Sequence, residues 1–377
     1  MPDQPIDRHS AGNVTTPRIL VAGTYHPTCS VEHVEHAFRA FADVTYLGTP
    51  WGLQRTGHAR DVDMTGAQAD LLFFVEEWFP FFPRGLEKAS FPTAAFFVDV
   101  SYDLPRRLAM APFFDHVFLA HKDYVDTFRA IHPSVHWLPV AAPRDLFRPG
   151  TSPRDLDVAF VGTLARERVP LLQRLEREFR MNDFRREYDL PELADTYRRA
   201  KIVVNKGREG EITLRIFEAT AAGALLVTQE GAPGLDDLFV PGRDIVTYRD
   251  DDDVVRVIRD LLRDEEARHT IAEAGHRAFL ARHTWEHRAR TVLDVVARAN
   301  GQPFAPARGW SEAERLVKTA AVFAHFPMID ELFTIIAESR AHRWAKVRAM
   351  RHLARAVAKG VRHLGWRRFL TGRGPST

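Results

Sequence analysis

Residues 201–228, KIVVNKGREGEITLRIFEATAAGALLVT, constrain the fold most strongly, because they form one strand–loop–helix–strand unit. The short apolar runs at residues 202–204 and 224–228 favour buried strands. A helix is predicted from Thr213 to Ala222, and Gly223 stands where helices commonly stop in the left-handed conformation. Such units build open parallel sheets, which bind ligands beyond the carboxyl ends of their strands.

The loop at residues 205–211 follows the first of these strands and therefore lies where a ligand is expected. Its amide and cationic groups, placed before a helix N-terminus, suit a phosphate. Glu218 is a single carboxylate inside an otherwise apolar helix, and a carboxylate there suits sugar hydroxyls. The segment therefore predicts a nucleotide-sugar site, whereas an ordinary surface role is the alternative for each of these side chains.

Further apolar runs separated by helical patterns predict two parallel α/β domains. The first domain, residues 17–149, has predicted strands at 18–22, 44–47, 71–75, 94–98, 117–120 and 135–138, and it ends in the proline-rich linker 139–149. The second, residues 150–300, starts at the apolar run 157–161 and continues through 193–200, the unit at 201–228 and 245–248, with helices near 254–262 and 265–282. We predict a disordered leader over 1–16, further helices over 301–339 and a basic amphipathic tail over 340–377.

The net charge of +2 conceals a strong asymmetry, since residues 340–377 hold 11 Lys/Arg and no Asp/Glu. In that tail the apolar residues recur every three or four positions, among them Trp344, Val347 and Met350. A cationic amphipathic helix of this kind is typical of anionic membrane surfaces, and packing of the apolar stripe on the protein is the alternative. No known nucleic-acid module accompanies the basic residues, so we expect no nucleic-acid partner.

Metal and disulfide chemistry have little support in the sequence. Cys29 is the only cysteine, which excludes an intrachain disulfide and fits a reducing, cytoplasmic setting. The 17 histidines show no metal-binding spacing, and the acidic run 250–253 lacks the alternation of a calcium loop, so we predict that it forms a helix cap. We expect no metal site and no cofactor.

Six blocks, in order over residues 138–290, resemble the GT-B glycosyltransferases, specifically the bacterial spore-maturation-type family with a glycosyltransferase group 1 C-terminal domain. The blocks are LPVAAPRDLFRP, DVAFVGTLARER, LADTYRRAKIVVN, LRIFEATAAGALLVT, GLDDLFVPGRDIVTYRD and IAEAGHRAFLARHTWEHRA. The resemblance implies two Rossmann-like domains facing a cleft, here with a basic C-terminal helical extension. It also implies metal-independent, usually retaining, transfer from a nucleoside diphosphate sugar, whose leaving diphosphate basic groups stabilise.

The resemblance assigns donor-binding roles residue by residue. Glu218 resembles the second carboxylate of the family's E-x7-E signature, but Gly210 occupies the first position and Glu211 is the chosen replacement. The remaining assignments concern the phosphate-facing turn, the cations on the diphosphate and the neighbouring strand end: Gly162, Thr163, Arg166 or Arg168, Asn205, Lys206 and Arg215.

Charged side chains also follow strand ends in the first domain, where cleft residues lie. Glu76 and Glu77 end the third predicted strand, Asp99 ends the fourth, and His26 follows the first. We predict that His26, Glu76 and Asp99 orient the acceptor hydroxyl or act as a base, with a helix cap or an ordinary structural role as the alternative.

Together these features predict a cytoplasmic hexosyltransferase that acts in polysaccharide biosynthesis. Peripheral association with the inner membrane face, through residues 340–377, is a further expectation. Its acceptor is a glycan, a lipid-linked molecule or a small molecule. The alternatives are a non-catalytic sugar-nucleotide or glycan-binding protein of the same fold and, from the tail alone, a nucleic-acid-binding protein.

Overall fold

The computed structural model describes residues 16–25, 30–50, 67–77, 82–83, 85–151, 153–207, 210–299, 303–325 and 329–371. Its framework is two parallel sheets, ordered β2-β1-β3-β4-β5-β6 and β10-β9-β8-β7. Every strand pair in both sheets is parallel. The strands are β1 (Arg18–Tyr25), β2 (Asp43–Pro50), β3 (Leu71–Glu76), β4 (Thr93–Phe97), β5 (His116–Leu119), β6 (Val135–Trp137), β7 (Leu156–Ala159), β8 (Ala200–Asn205), β9 (Leu225–Gln229) and β10 (Val246–Tyr248).

Thirteen α-helices connect and cover these strands in the part of the chain described. They are α1 (Ser30–Phe38), α2 (Leu104–Met110), α3 (Val125–Arg129), α4 (Val169–Glu178), α5 (Leu190–Arg199), α6 (Leu214–Ala221), α7 (Leu235–Leu238), α8 (Asp251–Arg263), α9 (Glu265–Arg282), α10 (Trp285–Arg298), α11 (Glu312–Phe323), α12 (Ile329–Glu338) and α13 (Arg343–Thr371). The predicted α/β class with two Rossmann-like units is confirmed. Within the described residues, no helix is both long enough and apolar enough to span a membrane.

Three apolar cores bury both faces of each sheet, as parallel sheets require. The central core runs from β1, β3 and β4 through the linker to α5, α6 and α10. The outer face of the second sheet packs against α4 and α8. The outer face of the first sheet packs against α2 and α3, and also against α11, α12 and the start of α13, so the C-terminal helices return to the first sheet.

Helix α10 joins the second unit back to the first. The Trp285 ring lies 6.4 Å from the Phe96 ring of β4. The buried Arg288 guanidinium donates through Nε to the Pro139 carbonyl at 2.7 Å, and it reaches the Val140 carbonyl at 3.4 Å. Because these carbonyls belong to the linker, α10 holds the two sheets in one arrangement around the space between them.

Local sequence fixes the ends of several helices as predicted. The Asp250 side chain accepts hydrogen bonds from the amides of Asp252 and Asp253, which confirms that the acidic run is the cap of α8. Helix α6 begins after Thr213, and Gly223 follows it with a φ of 67°. The Arg154 guanidinium, beside β7, donates to carbonyls at the C-terminal ends of α5 and α6 and ties both helices to the second sheet.

Candidate active site

A cavity of about 600 Å³ lies between the carboxyl ends of the two sheets. Residues that follow β3, β4 and β5 form one wall, and residues that follow β7 and β8 form the other. The linker residues Val140, Ala141 and Pro143 close one side. The cavity therefore occupies the position where parallel sheets bind ligands.

Glu218 is the central carboxylate of the second-sheet wall. It lies on α6, whose residues from Arg215 to Ala221 are all buried, and its side chain is 8% exposed and faces the cavity. Burial raises its pKa to about 7, although the nearby Arg215 charge opposes this rise. Among the described residues, no hydrogen bond reaches its carboxylate, so it is available to accept hydrogen bonds from a ligand.

Arg215 lies one turn before Glu218 and also faces the cavity. Its guanidinium donates to the Val161 carbonyl at 2.7 Å and to Asn205 Oδ1 at 2.7 Å, and it stacks 4.0 Å from the Phe160 ring. Asn205 is 2% exposed and does not line the cavity. The structure therefore places Asn205 behind Arg215, where it orients the guanidinium, and not on the predicted ligand-contacting surface.

Gly162 forms the turn after β7 and lines the cavity beside Thr163, as predicted. Its φ of 147° lies in the region that favours glycine. A Cβ atom there would overlap Arg215 Nη2. A side chain at this position would thus displace the cation from the wall, and glycine keeps the backbone open to a ligand phosphate.

Of the three other predicted cations, one lines the cavity and two do not. Arg168 is 7% exposed, lines the cavity and donates from Nη1 to the Thr163 carbonyl at 3.0 Å. Arg166 is exposed and does not line the cavity. Lys206 also lies off the cavity wall, because its Nζ is paired with Asp251 Oδ1 at 2.7 Å. Of the predicted cations, Arg168 and Arg215 line the cavity.

Glu211 also lies on this wall and is half-buried. The preceding Gly210 has a φ of 72°, a left-handed conformation that glycine adopts without strain. A side chain there would meet no atom within 4 Å. The two residues thus place a carboxylate at position 211 on the wall.

On the first-sheet wall, the prediction that Glu76 faces the cleft is wrong. Glu76 is 1% exposed, and its carboxylate is paired with Arg106 Nη2 at 2.6 Å and Arg107 Nε at 2.7 Å. Glu77 lines the cavity instead, because successive side chains of an extended strand point to opposite sides. Asp99, after β4, lines the cavity as predicted.

Buried charges behind the wall fix the position of Glu77. Its carbonyl oxygen accepts hydrogen bonds from Arg106 and Arg107, and its Oε1 accepts one from the Ser30 amide at 2.8 Å. The Glu76 ion pairs hold both guanidiniums in place. Glu76 therefore contributes to the site by positioning and not by contact with a ligand.

The sequence analysis did not predict several residues of the cavity wall, among them His33 on α1, His121 after β5 and Tyr188 before α5. The strand-end rule that selected Asp99 also applies to His121, which follows β5 by two residues. No local signal marks His33 or Tyr188, since their positions depend on the packing of α1 and of the chain before α5. His26 lies outside the described residues, so its predicted role stays a prediction.

Burial lowers the pKa of His33, so the neutral imidazole is favoured there near neutral pH. Within the described ranges, no group of three or more His, Cys, Asp or Glu residues is arranged to hold a metal ion. The charged groups that the cavity offers a ligand are thus arginines and carboxylates.

Comparison with known families supports the sequence resemblance. Residues 145–294 match the family described as glycosyl transferase-like. No curated protein matches the chain. The predicted resemblance to GT-B glycosyltransferases is confirmed, whereas the spore-maturation-type subgroup stays a prediction.

Solved structures share the architecture at low sequence identity. The sucrose-phosphate synthase of Thermosynechococcus elongatus is 13% identical over 75% of this chain and 99% of that chain, with a TM-score of 0.50. Anabaena HepE, solved with UDP and glucose, is 13% identical over 75% of this chain and 100% of that chain, with a TM-score of 0.50. A Rickettsia africae glycosyltransferase is 11% identical over 75% of this chain and 98% of that chain, with a TM-score of 0.51. At these identities the similarity shows the fold alone.

Proposed function

We propose that the protein transfers a sugar, of hexose type, from a nucleoside diphosphate sugar to an acceptor hydroxyl. The observation that carries the proposal is the juxtaposition, on one cavity wall, of Glu218 with Arg168 and Arg215. Carboxylates accept hydrogen bonds from ribose and sugar hydroxyls, and guanidiniums bind phosphate oxygens in a bidentate manner. The solved complex of Anabaena HepE with UDP and glucose is consistent with a ligand of this class.

Each wall residue has a defined role in this scheme. Glu218 accepts from the donor ribose, Glu211 accepts from the donor sugar, and the turn at Gly162 and Thr163 faces the diphosphate. In the reaction, the bond between the anomeric carbon and the phosphate oxygen breaks, and its electron pair stays on the diphosphate. The acceptor oxygen bonds to that carbon, and its proton passes to a base, for which Asp99 is the candidate.

Arg168 and Arg215 stabilise the leaving diphosphate. Negative charge grows on this group in the transition state, and both guanidiniums are held by backbone carbonyls before any ligand binds. Such preorganised donors lower the barrier without reorganisation at the moment of reaction. We therefore propose metal-independent transfer and, from the family resemblance, retention of anomeric configuration, which requires the acceptor oxygen to bond on the face of the sugar that the diphosphate leaves.

We further propose a cytoplasmic setting in polysaccharide biosynthesis, with a glycan, lipid-linked or small-molecule acceptor. The single cysteine fits a reducing compartment. An anionic membrane surface is a further proposed partner, which residues 340–377 would contact. We also propose that the domain boundaries lie at residues 149 and 300.

Ligand binding and turnover test the function in two steps. The first measures stabilisation of the protein by UDP, GDP, TDP and ADP and by their sugar conjugates, because specific binding raises the unfolding temperature. The second measures nucleoside diphosphate release from the conjugate that binds, with Arg215→Ala and the exposed Arg166→Ala as a matched pair. Release that Arg215→Ala lowers and Arg166→Ala spares is the expected result. Binding without release would favour the non-catalytic alternative, and no nucleotide binding would refute the proposal.

A further inference from the structure

The first turns of α13 expose three large apolar side chains together. Trp344 is 67% exposed, and Val347 and Met350 are each 42% exposed. They are spaced three residues apart, which places them along one side of the helix. We call these three residues the α13 patch. Phe333 on α12, which packs beside α13, is a further apolar side chain with 57% exposure.

The opposite side of α13 is anchored in the protein. Ala345, Ala349 and Leu353 are buried in the same core as α11 and α12. These residues are not part of the predicted apolar stripe. Of the stripe, Val357 packs against this core, whereas the α13 patch stays exposed. The patch is held outward on a docked helix, so little conformational entropy is lost when it contacts a partner.

Basic side chains flank the α13 patch. The Arg343 guanidinium lies 5.7 Å from the Trp344 ring, and Arg348, Arg351 and Arg355 are exposed on the same helix. Residues 340–377 contain 11 Lys/Arg and no acidic residue, whereas the remainder of the chain has 41 basic and 50 acidic residues. The segment that carries the patch therefore has a net charge opposite to that of the rest of the chain.

We propose that the α13 patch and its arginines form a docking surface for an anionic lipid bilayer. Apolar side chains enter the boundary between headgroups and acyl chains, Trp favours that interface, and the arginines contact anionic headgroups. A nucleic acid would use the arginines but gain nothing from Val347 or Met350. This inference rests on the membrane partner proposed above for residues 340–377 and assigns the contact to the α13 patch. It does not depend on the proposed transfer reaction, since the surface lies on α13 and not on the cavity wall.

Vesicle flotation with the full-length protein tests the surface. The vesicles contain phosphatidylcholine, with or without phosphatidylglycerol. The expected result is binding only when phosphatidylglycerol is present, with weakening at high salt because exposed charges are screened over about 10 Å at 0.1 M. Absence of binding by the wild type would overturn the proposal.

Two sets of variants separate the apolar and the charged contributions. The triple change Trp344→Ser, Val347→Ser, Met350→Ser should weaken vesicle binding by more than about tenfold. Its control, Ile131→Ser with Leu280→Ser, alters apolar side chains that are 44% and 46% exposed elsewhere and should have no effect. Equal binding by the patch variant and its control would refute the apolar contact.

The charge set replaces Arg348 and Arg351 by Ala, and each replacement should weaken binding about fivefold. Its control replaces Arg263 and Arg277, whose side chains are 74% and 68% exposed on other helices. Duplex DNA binding that survives the patch change while vesicle binding is absent would assign the surface to nucleic acid. Nucleotide-induced stabilisation, measured on every variant, shows separately whether the proposed donor site is intact.

Discussion

Replacement of Glu218 by Gln should stabilise the ligand-free protein at high pH and weaken its binding of nucleotide. Glu218 is 8% exposed, and burial raises its pKa from 4.5 to about 7. A difference of this size between the unfolded and folded states corresponds to about 3 kcal/mol. Because the folded-state pKa is the higher one, the folded state binds the proton more tightly. Its contribution to stability is full below pH 4.5 and is lost as the pH rises through about 7.

Glutamine resembles the protonated acid and cannot ionise, so it removes this loss. Wild type and Glu218→Gln should have similar stability at about pH 4.5, and the variant should be more stable by about 3 kcal/mol at about pH 8.5. For a domain of 150–250 residues, that is a rise of about 6–12 °C in Tm. The difference between the two proteins cancels other groups that titrate in both, including Glu76.

The assay is thermal unfolding without nucleotide across this pH range, with the exposed Glu187→Gln as the control. Parallel pH profiles for wild type and Glu218→Gln would refute the buried-charge reasoning.

The same replacement should weaken nucleotide binding, although it stabilises the ligand-free protein. An amide oxygen is a weaker acceptor than a carboxylate, so affinity at about pH 8 should fall by about 1–3 kcal/mol. Unchanged affinity in the folded variant would refute the ribose assignment.

Other parts of the structure give four further predictions. Arg154→Ala should lower the free energy of unfolding by about 2–3 kcal/mol, measured in urea, because carbonyls at two helix ends lose a charged donor. Gly162→Ala should reduce nucleotide affinity at least about tenfold, measured by titration, since the new Cβ overlaps Arg215. Transfer should persist in excess chelator. Loss of transfer that only added Mg²⁺ or Mn²⁺ restores would contradict this prediction. Truncation after Ser339 should unfold the first-sheet core, whereas truncation after Ala358 should leave Tm unchanged and lower the helical circular dichroism only by the share of residues 359–371, because Leu353 is then retained.

Strand positions could be predicted because the central strands are short apolar runs buried in a parallel sheet. β3 and β4, for example, are buried along their whole length. A strand buried on both faces of a parallel sheet is a continuous apolar run, which can be recognised from the sequence alone. Helix α10 was not predicted. Its position depends on Trp285 meeting Phe96 and on Arg288 meeting linker carbonyls, and no local spacing encodes such distant partners.

The candidate site could be predicted by region but not fully by side chain. The strand-end rule led to residues 76–77, but the choice between two adjacent carboxylates depended on where α2 places Arg106 and Arg107. The same limit applies to the loop cations. Lys206 is paired with Asp251, which lies 45 positions away at the start of α8. The residues next to Lys206 in the sequence therefore could not show that its side chain lies off the cavity wall.

Charge pairing separates structural charges from those available to a ligand. Glu76 and Lys206 meet opposite charges inside the protein, so each is compensated without a ligand. Burial raises the pKa of both Glu76 and Glu218 to about 7, but no hydrogen bond from the described residues reaches the Glu218 carboxylate. A buried carboxylate costs free energy unless hydrogen-bond donors surround it. Hydroxyl groups of a bound nucleotide sugar would donate hydrogen bonds to this carboxylate. They would remove the cost of its burial, and that free energy would strengthen ligand binding.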